Sequence, residues 1–212
     1  MNIDFPIIIL IVVLSYCFGS IPTAYIIARL KGVNIFETGS GNMGGTNVMR
    51  ALGAGWGWLV VAIDIGKGAL AIVVARLLLS DNIILATFLG GIVAIIGHNW
   101  SLFAYIVTGI FKGGKGAATA FGTLILIVPL HVVAVFLGII GVVLLLTRYM
   151  SLAVLIAFSV ATVWVLLLIY QHTLPAEYGL YIGLIVVLIF ARFRGNIQRL
   201  LDGKERRVGE RA

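Results

Sequence analysis

Long apolar runs follow one another along almost the whole of this chain, and they decide what its solvent is. They extend over about Phe5–Arg29, Ala54–Leu79, Ile83–Ile106, Ala117–Val128, Leu130–Leu146, Leu152–Tyr170 and Tyr178–Ala191. A helix needs roughly 17–25 such residues to cross the hydrocarbon core of a bilayer. Only 11% of the residues are charged, against roughly a quarter in soluble domains, and mean hydropathy is +1.15. These features predict an all-α, polytopic integral membrane protein. The alternating pattern of membrane barrel strands is missing. Because Ala117–Val128 is short, about five to seven crossings fit, and about seven is the expected count. The whole of 1–212 is read as a single transmembrane domain, with 195–212 as a basic tail.

The first run lacks the positive n-region of a secretory signal, since Asp4 stands where a lysine or arginine is expected. An uncleaved first helix with its N-terminus outside is the expectation. Cys17 is the only cysteine, which excludes a disulfide framework and a cysteine-rich metal site.

Charge orients the bundle. With about seven crossings, the segments near 31–53, 107–115, 147–151 and 192–212 share one side. That side holds Lys31, Arg50, Lys112, Lys115, Arg148, Arg192, Arg194, Arg199, Lys204, Arg206, Arg207 and Arg211. The other side has Arg76 nearby and carries Asp4, Asp81 and Glu177. The positive-inside rule makes the basic side cytoplasmic. Much of the net charge of +7 is explained by orientation and by contact with anionic headgroups, without any nucleic-acid partner.

The polar segments fall on that same side, which predicts one cytoplasm-facing site built from several loops. The densest is Gly39-Ser40-Gly41-Asn42-Met43-Gly44-Gly45-Thr46-Asn47-Val48-Met49-Arg50. It could be a plain loop whose Thr46 or Asn47 caps a helix. Its glycine amides, hydroxyls, carboxamides and guanidinium are all donors, however, and together they suit a phosphate. The second segment is Lys112-Gly113-Gly114-Lys115-Gly116. From Gly109 to Lys115 it matches most of a nucleotide P-loop, yet Gly116 replaces the required Ser or Thr and no strand precedes it. What remains is two lysines, backbone amides and the N-terminus of a helix starting near Ala117, again a phosphate site. A positive-inside anchor is the plainer reading.

Asp64 and Lys67 lie at i, i+3 deep in an apolar run, where ionisable groups are costly and pair or face the protein interior. A structural ion pair and a substrate contact both fit them. His98, in Gly97-His98-Asn99-Trp100, is a candidate substrate-binding residue or general base, with a hydrogen-bonded structural histidine as the commoner outcome. Ser151 either caps a helix or offers its hydroxyl to substrate. Asn196 lies among arginines in Arg192-Phe193-Arg194-Gly195-Asn196-Ile197-Gln198-Arg199.

In this order, the segments resemble the bacterial acyl-phosphate:glycerol-3-phosphate acyltransferase family (PlsY) over nearly the whole chain. The resemblance rests on Gly19-Ser20-Ile21-Pro22, on Gly39-Ser40-Gly41-Asn42 with Gly44, Thr46, Asn47 and Arg50, and on Asp64-x-x-Lys67-Gly68. Gly97-His98 with Phe103, Lys112–Gly122, Ser151 and Asn196-Ile197-x-Arg199-Leu200 complete it. It implies a seven-helix membrane enzyme that acylates the 1-position of glycerol 3-phosphate from a fatty acyl phosphate, giving lysophosphatidic acid and phosphate. It implies no cofactor and no metal. Other partners would be membrane lipid and the enzyme that supplies acyl phosphate. Ser40, Arg50, Lys115, Ser151 and Asn196 would be catalytic. Gly41, Asn42, Thr46, Asn47, His98, Lys112, Gly113, Gly114 and Gly116 would bind substrate, and Asp64, Lys67 and Glu205 would be structural. Phe193 stands where the family usually has histidine, so a polar group of the final motif is missing.

The HxxxxD pattern of acyl-CoA-dependent enzymes follows none of His98, His131 and His172, and paired aspartates of metal-dependent phosphotransferases are absent too. Acyl phosphate is therefore the expected donor. The alternatives are a carrier for phosphate or an organophosphate and a weakly active or non-catalytic paralogue of the enzyme.

Overall fold

The computed structural model describes residues 5–210; Asp4 and Arg211, used in the charge argument, lie outside them. Among the described residues there are ten α-helices and no strand. The chain divides into two compact units, one ending at Leu126 and the other beginning at Ile127.

The first unit contains α1 (Phe5–Ser20), α2 (Thr23–Leu30), α3 (Gly45–Leu52), α4 (Ala54–Leu78), α5 (Ile83–Asn99), α6 (Leu102–Thr108) and α7 (Ala117–Ile125). Two apolar runs that read as continuous are broken. The first breaks between α1 and α2, where Pro22 lacks an N–H and its ring excludes the preceding turn. The second breaks at Trp100–Ser101, where Ser101 caps α6 by accepting from the amide of Ala104 at 3.0 Å. α4 packs against α1, α3, α5 and α7. Its approach to α7 is backbone on backbone, because a Cβ at Gly68 would overlap the carbonyl of Thr119 and one at Gly122 would overlap that of Ile65. Without a hydrophobic drive between helices in lipid, such close contact is what holds them together.

Six segments are long and apolar enough to cross a membrane among the described residues, and α7 is not one of them. This differs from the expected seven by that helix alone. Its nine residues reach roughly 14 Å, about half the hydrocarbon core. Both its ends are tied inside the unit. Gly116 opens it in the left-handed region at φ +82°, and the carbonyl of Leu126 at its far end accepts Arg76 Nη2 at 3.0 Å. Arg76 Nε donates to Thr87 Oγ1 at 2.8 Å. Arg76 thus serves the negative end of a half-helix.

The second unit contains α8 (Leu130–Thr147), α9 (Met150–Tyr170) and α10 (Glu177–Leu201), with α9 packed against both others. α10 runs through Gly195–Leu201, so the segment read as the start of a tail is helical.

Candidate active site

Half of the Gly39–Arg50 segment is helix. α3 begins at Gly45, and Gly44 rather than Thr46 or Asn47 stands at its N-cap, without a side-chain cap. Thr46 and Arg50 are i, i+4 neighbours and so share one face of α3; both are half-buried. Asn47 is 2% exposed, and its carboxamide is committed to the chain itself. Nδ2 donates to the carbonyls of Ile35 at 3.1 Å, Thr38 at 3.0 Å and Asn42 at 3.1 Å, while Oδ1 accepts from the amide of Ser40 at 2.9 Å. Asn47 therefore shapes the loop that carries Ser40 and Asn42. Gly41 sits at φ +62°, where a Cβ would press on the Phe36 carbonyl. Asn42 Nδ2 makes one long bond, 3.3 Å, to the carbonyl of Ser40.

Lys112–Gly116 is braced from outside. The amide of Gly113 donates to the carbonyl of Asn99 and that of Gly114 to the carbonyl of His98, each at 3.1 Å. These two amides attach the loop to the end of α5. The glycines are there for closeness: a Cβ at Gly113 would overlap the His98 carbonyl. One at Gly114 would overlap both the His98 imidazole and the carbonyl of Met43. The second contact brings the two polar segments together, since Met43 belongs to the first. Lys112 is exposed and Lys115 half-buried on this loop.

Behind the loop lies a cluster within the apolar helices. Lys67 Nζ is 2.8 Å from Asp64 Oδ1, the pair expected from i, i+3 spacing, and donates to the carbonyl of Ile21 at 3.0 Å. The helix break at Pro22 supplies that carbonyl. Thr23 Oγ1 donates to the same Asp64 oxygen at 3.0 Å, and His98 Nδ1 lies 3.8 Å from it. Asp64, Lys67 and His98 are exposed by only 3%, 5% and 7%. A small cavity is lined by this cluster together with Met43 and Gly114. Sequence reasoning missed Thr23; its signal was a hydroxyl beside a proline inside an apolar run.

The second unit has its own polar cluster. Glu205 Oε1 accepts from Ser151 Oγ at 3.0 Å and Asn196 Nδ2 at 2.6 Å, and Oε2 accepts from Arg199 Nε at 2.8 Å. Ser151 and Asn196 are buried, and Ser151 is the second residue of α9, with Tyr149 at the N-cap. Tail and helix ends are further joined by the amide of Val208, which donates to the carbonyl of Arg148 at 2.7 Å. Phe193 is buried on α10 and brings no donor, acceptor or titratable group.

Comparison with known proteins gives a consistent picture. A family model described as glycerol-3-phosphate acyltransferase matches residues 9–203. The glycerol-3-phosphate acyltransferase of Thermus thermophilus is 43% identical over 203 residues, covering 94% of each chain. That of Halalkalibacterium halodurans is 41% identical over 205 residues, covering 95% of this chain and 96% of its own. The crystal structure of PlsY, an integral membrane glycerol 3-phosphate acyltransferase, in its glycerol 3-phosphate form superposes with a TM-score of 0.83. It is 35% identical and covers 95% of this chain and 96% of that one. Its lysophosphatidic acid form gives 0.80 at the same identity. With a family model spanning nearly its whole length and relatives above two-fifths identity, this chain belongs to the glycerol-3-phosphate acyltransferase family.

Proposed function

We propose that this protein transfers a fatty acyl group from acyl phosphate to the 1-hydroxyl of glycerol 3-phosphate, at a site open to the cytoplasm of a bacterial inner membrane. Family membership makes it a glycerol-3-phosphate acyltransferase of phospholipid synthesis. The donor, the position acylated and the residues that act are our reading. The observation that carries it is the contact of Gly114 with Met43, which puts the arginine-bearing segment and the lysine loop side by side in one unit.

An acyl phosphate is already activated, so the protein need not supply a covalent nucleophile. The 1-hydroxyl oxygen attacks the acyl carbonyl carbon, and the bond from that carbon to the bridging phosphate oxygen breaks. Inorganic phosphate leaves, and the hydroxyl proton passes to one of its oxygens. What the chain contributes is orientation and charge. Arg50 and Lys115 bind and neutralise phosphate oxygens, a role for which guanidinium forks and ammonium groups suit. Ser40, Asn42, Thr46 and Lys112 complete that side, and the uncapped N-terminus of α7 adds its positive end. In the second unit, the family resemblance gives Ser151 and Asn196 catalytic roles, and Glu205 holds both.

The test is turnover by the purified protein. Given glycerol 3-phosphate and palmitoyl phosphate without added metal, it forms lysophosphatidate and releases phosphate. Given palmitoyl-CoA instead, it forms none. Product from palmitoyl-CoA would overturn the donor assignment, whereas no product from either donor would favour a non-catalytic paralogue. Movement of phosphate esters into liposomes without turnover would favour a carrier.

A further inference from the structure

The cluster behind the glycine loop asks for an explanation that stability does not provide. Removing two ions from water costs several kcal/mol each, and well-packed apolar side chains of the same volume would avoid that cost. What apolar side chains cannot do is impose direction. Asp64 Oδ1 receives Lys67 Nζ at 2.8 Å and Thr23 Oγ1 at 3.0 Å, and Lys67 is anchored in turn on the Ile21 carbonyl at 3.0 Å. The carboxylate is thus held from two helices. It faces one edge of the His98 ring, with Nδ1 at 3.8 Å. The opposite edge, at Nε2, fills the space where a Cβ on Gly114 would stand, and the His98 carbonyl holds the Gly114 amide at 3.1 Å. Gly114 thus touches both the backbone and the side chain of one residue, and a buried carboxylate stands at the far edge of that side chain.

We infer that Asp64, Lys67 and His98 form a positioning unit that sets the place of Gly114, and through it the reach of Lys115 toward a substrate phosphate. His98 is then a positioning residue and not a general base, and the Asp64–Lys67 pair acts through it. The inference rests on the phosphate-binding role proposed for the Lys112–Gly116 loop. It explains why a histidine, an ion pair and a glycine loop far apart in sequence belong together. A misplacement of about 1 Å at a reacting group can cost on the order of 100-fold in rate, so the unit has leverage without touching substrate.

The experiment compares kcat and KM for glycerol 3-phosphate and palmitoyl phosphate, with thermal midpoints in detergent, across variants of the full chain. His98→Ala should raise KM for a phosphorylated substrate about tenfold or more, with a smaller change in kcat and the midpoint nearly kept. His98→Gln, whose carboxamide reaches the Nε2 position, should recover about fivefold of that loss, while His98→Asn, which reaches only toward Asp64, should not. Asp64→Asn should weaken binding in the wild-type background yet add less than about twofold in the His98→Ala background, the sign of action through one residue. Equal behaviour of the Gln and Asn variants, multiplying effects of Asp64→Asn and His98→Ala, or wild-type constants in His98→Ala would each overturn the inference. If His98→Ala does not fold, the Gln and Asn pair carries the test alone. Lys115→Ala separates the two claims: wild-type turnover there removes the loop assignment and the inference with it. A large loss there, with normal His98 variants, removes the inference only.

Discussion

The two glycine-rich segments of the first unit have similar compositions and opposite supports. Gly39–Arg50 is braced from within, by a single carboxamide that ties Ser40 to the carbonyls of Ile35, Thr38 and Asn42. Lys112–Gly116 is braced from without, by the carbonyls of His98 and Asn99 and by the ring that Asp64 faces. In neither do glycines signal slack chain. In the first, Gly41 permits a turn that an L side chain resists; in the second, Gly113 and Gly114 permit a close approach that any Cβ would block. A segment that folds on itself can be fixed by one good residue, whereas one laid against a helix needs that helix fixed too.

The largest test of this contrast removes the charges the two supports present. Arg50→Ala and Lys115→Ala should each lower kcat/KM on the order of a thousandfold, the scale of losing one charged stabiliser of a transition state, with thermal midpoints unchanged. Wild-type turnover in both would sink the site. Next, Gly114→Ala should force its new Cβ onto the His98 ring and the Met43 carbonyl, and turnover should fall on the order of 100-fold. A normal rate would mean that the two segments are not held in register there. Asn47→Ala should act through stability first. Stranding several backbone groups costs about 1–3 kcal/mol, seen as a thermal midpoint lower by about 5 °C. Turnover should fall less than in Gly114→Ala, and the reverse order would make the internal brace the more important one. Asn42→Ala is the smallest change. It should raise KM for glycerol 3-phosphate about threefold, the worth of one neutral hydrogen bond, and a kcat effect would show that Asn42 acts in the transition state.

Much of this follows from patterns local in sequence. The apolar runs dictate helices, because in lipid every backbone group must find its partner within its own segment. The spacing of Asp64 and Lys67 dictates their pairing, because i, i+3 positions are neighbours on any α-helix. Where the patterns misled, long-range contacts intervened. Ala117–Val128 reads as a span by hydropathy, but α7 ends at Ile125, with the carbonyl of Leu126 just beyond it tied to Arg76 from α4. The amides of Gly113 and Gly114 look available to an anion until α5 supplies carbonyls for them. Asn47 looks like a ligand donor until the chain before it wraps around its carboxamide.

Composition and the lengths of the apolar runs were thus enough to establish a polytopic helical membrane protein. These are properties of each stretch of chain and its solvent, independent of partners. Tertiary structure alone decided which donors remain for a ligand and which are taken by the protein. It also decided that a carboxylate on α4, a histidine on α5 and a loop glycine lie side by side. A hydrogen-bonding group serves one partner at a time, and only the folded chain decides which partner arrives first.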